Sequence, residues 1–78
     1  MSIFERLRKT IAATLNVEPG LIRETTSQKD LSSWDSLGHI NLIVAVEDTF
    51  DVALEVDDIN RLTSVPAILA YLGDRGID

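Results

Sequence analysis

The chain has 78 residues, 45% of them hydrophobic, and its thirteen acidic and seven basic side chains leave a net charge of −6. So short a chain forms one small domain, 1–78, and its lack of cysteine excludes both a disulfide-built secreted module and a thiolate zinc site. Its longest apolar run, Leu42 to Val46, is far below the ~18 residues a membrane span needs, and no apolar signal-peptide core follows Met1, so a cytoplasmic location is expected.

Ile3, Phe4, Leu7, Ile11 and Leu15 recur at helical spacing, and Ser2 with Glu5 has the spacing of a capping box, which predicts a first helix starting near residue 2. Residues 16–35 lack a sustained period and contain the turn signal Pro19-Gly20. They read as a long ordered loop pinned by Val17, Ile22, Leu31 and Trp34. A second helix spans Ser36 to Phe50 with Asp35 as N-cap. A short helix over 57–62 is predicted to bury Val56, Ile59 and Leu62. The last helix carries Val65, Ile68, Leu69 and Leu72 on one face, is capped by Thr63 or Ser64, and tolerates Pro66 in its first turn. Gly73 is expected to end it with a left-handed residue. The predicted fold is all-α: a four-helix bundle of three main helices and one short one.

The second helix is more apolar than one buried face requires. At ~100° per residue, Leu42, Ile43, Val46 and Phe50 form a core face, while Leu37 and Val44 fall in another stripe with Asn41 and Asp48. Ile40 stands at the border and His39 on the core side. Either the loop or a partner must cover the outer stripe.

Ser36 opens this helix in the string Trp34-Asp35-Ser36-Leu37-Gly38-His39. Its hydroxyl either helps the helix start or serves as an attachment point, since a phosphate ester there faces unpaired N–H groups at the positive helix end. A Ser36 nucleophile with His39 as base lacks an orienting acid, an oxyanion hole and a cleft in the sequence pattern, so no catalytic residue is assigned.

The combination of Asp35-Ser36-Leu37, an apolar helix ending in Val46-Glu47-Asp48-Thr49-Phe50, the acidic Asp57-Asp58-Ile59 segment and the Leu62-Thr63-Ser64-Val65 helix start resembles the acyl carrier proteins over nearly the whole chain. The resemblance implies a carrier, not an enzyme, with 4′-phosphopantetheine attached to Ser36 by a phosphopantetheinyl transferase and acyl groups held on it as thioesters. Asp35 would cap the helix and contact the transferase. Leu37, Asn41, Val44, Glu47 and Asp48 would form the face recognised by acyl-activating ligases, synthases or acyltransferases with basic docking patches. Val46, Ile59, Leu62 and Ile68 would line an apolar cavity for the acyl chain. Gly38 and Asn41 stand where members serving fatty-acid synthesis often carry acids, which fits a specialised carrier at least as well. An aminoacyl carrier, of the peptidyl or D-alanyl kind, is the alternative with the same chemistry. An unmodified helical interaction module is the alternative from another class.

Residues 30–60 hold eight acids and no Lys or Arg, whereas the rest of the chain holds five acids and seven bases. Such a lobe repels nucleic-acid phosphates and anionic membranes, so neither is an expected partner, and a monomer is expected. Its self-repulsion predicts a melting temperature that rises with added salt or divalent cations. A melting temperature flat from low to high ionic strength, followed by circular dichroism, contradicts this.

Overall fold

A computed structural model describes residues 2–77. Four α-helices follow one another: α1 (Ile3–Leu15), α2 (Ser36–Phe50), the short α3 (Val56–Arg61) and α4 (Val65–Asp74). No strand forms among the described residues; a single isolated bridge joins Ser27 to Ser64. The all-α bundle with one short helix agrees with the sequence prediction.

Local chemistry sets most helix limits. The Ser2 hydroxyl accepts the Glu5 N–H at 3.2 Å, while the Glu5 carboxylate, expected to complete a capping box, pairs with Arg8 at 3.3 Å. α1 and α2 both end on left-handed residues, Asn16 (φ 56°) and Asp51 (φ 55°), two side-chain types that tolerate this conformation.

Two expectations are corrected. α3 starts one residue early, behind a capping box between Glu55 and Asp58, and Val56 is 73% exposed. Residues three apart on a helix drift by ~60° per step, so Val56 lies ~120° from Leu62, and only Ile59 and Leu62 turn inward. α4 runs past Gly73 to Asp74, and the left-handed glycine is Gly76 (φ 75°). That turn lets the Ile77 N–H reach the Leu72 carbonyl at 3.0 Å and brings Ile77 against the core, which a stop at Gly73 would not do.

The core gathers Leu7, Ile11 and Leu15 from α1, Leu42, Ile43, Val46 and Phe50 from α2, and Val65, Ile68 and Leu72 from α4. The long loop adds Ile22 and Trp34, both fully buried, with Val17 and Leu31 packed at its edge. Two short 3-10 turns, Pro19–Leu21 and Gln28–Asp30, shape the loop. Its backbone is paired to the α3–α4 junction: the Gln28 N–H donates to the Thr63 carbonyl and the Val65 N–H to the Thr26 carbonyl, each at 2.8 Å. Arg8 holds it from α1 by donating to the Ile22 carbonyl at 3.1 Å.

Gly38 allows the loop to lie on the first turn of α2. A Cβ at this position would collide with the Ser33 carbonyl oxygen and press on the Leu15 side chain. Gly73 also lies within a helix, but it is exposed and a Cβ there meets nothing. Helix propensity alone makes Gly→Ala favourable by up to ~1 kcal/mol at either site. Gly73→Ala is therefore expected to stabilise the fold by about 0.5–1 kcal/mol, and Gly38→Ala to destabilise it by roughly 1–3 kcal/mol through overpacking. Urea unfolding of the two variants checks the opposite signs.

Candidate functional site

Asp35 and Ser36 form the start of α2. The Asp35 side chain accepts the Gly38 N–H at 2.8 Å and its carbonyl accepts the His39 N–H at 2.7 Å. This cap fixes Ser36 as the first helical residue, with its side chain exposed. The N–H groups of Ser36 and Leu37 belong to the turn that has no acceptor within the helix, so a phosphate ester on the Ser36 hydroxyl would meet the positive end of the helix. The Asp35 carboxylate, the nearest negative charge in sequence, already serves as the cap.

Behind Ser36 stands His39, buried and joined at both ring nitrogens. Trp34 Nε1 donates to His39 Nδ1 at 3.0 Å, and His39 Nε2 lies 2.7 Å from the Ile59 carbonyl. An indole N–H can only donate and a carbonyl can only accept, so Nδ1 is the acceptor and Nε2 carries the hydrogen. The two rings meet edge to edge through this bond, inclined by 26° with centroids 6.2 Å apart. His39 thus has no nitrogen left for Ser36, and a Ser-His catalytic pair is not formed.

A cleft of about 300 Å³ opens between Ser36 and α3. Ile40 and Ile59 give it apolar wall, Gln28, Asn60 and Thr63 give it hydrogen-bonding groups, and His39 is the one buried residue that lines it. The exposed hydroxyl, the helix end and the adjoining polar cleft together fit a phosphate-linked, amide-bearing arm on Ser36.

The remaining residues singled out from the sequence separate into three groups. Leu37, Asn41, Val44 and Asp48 are exposed on the outer side of α2, uncovered by the loop. Glu47, expected with them, is half-buried, and its Oε2 accepts the Leu54 N–H at 2.9 Å, clamping the turn after α2. Of the four cavity candidates, only Ile59 reaches the cleft beside Ser36, whereas Val46, Leu62 and Ile68 lie in the closed core. Sequence reasoning missed Ile40, 57% exposed between Leu37 and Val44, although its border position on the helical wheel was the signal. It also missed Gln28, Asn60 and Thr63: the last two lie three residues apart at the end of α3, while Gln28 comes from the distant loop, and no local pattern joins them.

Comparison with known proteins agrees with this geometry. The family model described as "Phosphopantetheine attachment site" matches residues 5–72. A protein of Bdellovibrio bacteriovorus named acyl carrier protein is similar to this chain, with 29% identity over 76 residues that cover 97% of each. No helix among the described residues is long and apolar enough to cross a membrane. From the first turn of α1 to Leu72 in α4, and with Asp35-Ser36-Leu37 at the start of α2, the chain belongs to the phosphopantetheine attachment family, whose acyl carrier proteins hold groups on a covalent arm and do not themselves catalyse.

Proposed function

We propose that Ser36 is the acceptor of 4′-phosphopantetheine and that residues 1–78 act as one monomeric, cytoplasmic carrier domain. The observation that carries this is the exposed Ser36 hydroxyl on the first turn of α2, beside a cleft lined by Gln28, Asn60 and Thr63. The arm, once attached, supplies the thiol on which an acyl group is held as a thioester. Asp35 holds the helix start by capping Gly38, and its exposed carboxylate meets basic groups of the transferase. Ser36 and Leu37 present their N–H groups to the phosphodiester.

Leu37, Ile40 and Val44 form the apolar centre of a docking face on α2, exposed at 69%, 57% and 52%. Asn41 and Asp48 rim it, and Asp51, Glu55 and Asp57 extend the acidic field beyond it. An apolar centre with an acidic rim suits enzymes whose carrier-binding surface is basic around an apolar pocket. Glu47 contributes charge to this field while its carboxylate braces Leu54.

Incubation with coenzyme A and a broad-specificity phosphopantetheinyl transferase should raise the intact mass by one phosphopantetheine, and Ser36→Ala should abolish the rise. No rise in the native chain, or one that survives in the variant, rejects the assignment. Leu37→Ala and Val44→Asp touch exposed side chains, so each should shift stability by no more than about 0.5 kcal/mol. Each should weaken acceptance of the loaded carrier by a partner synthase or ligase by roughly tenfold, about 1.4 kcal/mol. Melting curves measured beside kcat/KM separate a docking effect from misfolding.

A further inference from the structure

We propose that His39 closes the hydrophobic core to the cargo, so that this carrier presents short acyl groups bearing hydrogen-bonding substituents at the cleft beside Ser36 and does not shelter a long alkyl chain between its helices. The inference rests on attachment of the arm at Ser36. A chain passing from Ser36 towards the core between α2 and α3 meets His39, the buried wall of the cleft, its ring held by the buried Trp34 indole. The imidazole is tied from both sides, by Trp34 at 3.0 Å and to the Ile59 carbonyl at 2.7 Å. Swinging it aside would leave the buried indole N–H, the imidazole and the Ile59 carbonyl without these partners, a costly state away from water. The same movement would cut a bond between α2 and α3. Val46, Leu62 and Ile68 are 0%, 5% and 0% exposed and packed into one cluster, so an alkyl chain would also have to part these side chains.

The cleft itself favours polar cargo. Gln28, Asn60 and Thr63 offer donors and acceptors, and a second groove of about 490 Å³ shares Gln28 and Thr63 and continues to Lys29 and Ser64. Ile40 and Ile59 give a short hydrocarbon segment apolar contact, while a longer one would run out among polar groups. A hydroxyl or amino group on the acyl chain is satisfied there, and a dodecyl chain gains little burial.

The experiment transfers acetyl, butyryl, octanoyl, dodecanoyl and 3-hydroxybutyryl arms from their coenzyme A esters onto the full chain. Intact mass verifies each product before anything else is read. The expected melting temperature is the same across the alkyl series, and the indole N–H resonance of Trp34, the single tryptophan, keeps its position. The 3-hydroxybutyryl form should shift the side-chain amide resonances of Gln28 and Asn60 more than the butyryl form does. A melting temperature that climbs with chain length, at roughly 3–6 °C per sheltered methylene, or a stepwise movement of the Trp34 resonance, overturns the proposal. His39→Gln can keep both bonds and should retain the flat profile, whereas His39→Ala should introduce length dependence. A folded His39→Ala protein with a flat profile removes His39 from the role, and if that variant does not fold the native series alone decides. Failure to acquire any arm, seen in the mass spectrum, instead overturns the attachment at Ser36, and the cargo gate falls with it.

Discussion

One imidazole ties the two parts of the chain that have the weakest reasons to be ordered to its best-formed helix. Trp34 belongs to a loop of twenty residues, and Ile59 to a helix of six residues, too short to persist alone in water. His39, on the well-formed α2, accepts from the first and donates to the second. The bond to Trp34 is possible because the loop approaches α2 closely at Gly38, where a side chain would strike the Ser33 carbonyl. The placement of Ser36 follows from this arrangement, since the same loop delivers Asp35 as the cap.

α2 divides its work between two sides. Leu42, Ile43, Val46 and Phe50 carry the core, and the opposite side keeps Leu37, Ile40 and Val44 in water. Few of the surrounding acids are neutralised inside the protein: the ion pair among the described residues is Glu5–Arg8 on α1, half-exposed and of small energetic value. Arg6, which faces α2, spends its guanidinium on the Phe50 ring and the Thr49 carbonyl. The negative field of residues 30–60 is therefore left for the surroundings.

Helix number, the Asp35 cap, the core face of α2 and its exposed apolar stripe were legible in the sequence because each depends on residues a few positions apart. The family was legible for the same reason: its motif and the helix that follows are local. The register of α3 was not, because a period of three approximates 3.6 well enough over six residues to hide the drift that exposes Val56. The end of α4 was misread because Gly73 looks like a stop, while the stop is set by Ile77 returning to the core. Trp34 and His39 were each recognised as buried, yet their pairing across a turn and the third partner, a backbone carbonyl twenty residues away, leave no mark in composition or period. The cleft beside Ser36 depends on Gln28, Asn60 and Thr63 meeting in space, which only the tertiary structure brings about.

The bridge between Ser27 and Ser64 also bears on the order in which the molecule is assembled. During synthesis from the N-terminus, α1 and the loop emerge first, but the loop's backbone partners, the Thr63 carbonyl and the Val65 N–H, are made some 35 residues later. Until then the Gln28 N–H and the Thr26 carbonyl have only water to bond, and Trp34 finds His39 without the Ile59 carbonyl that anchors the ring. A nascent chain that has just exposed Asp35-Ser36-Leu37 thus carries the motif without the framework that presents it. Ser36 reaches its finished setting only when the last third of the chain has arrived.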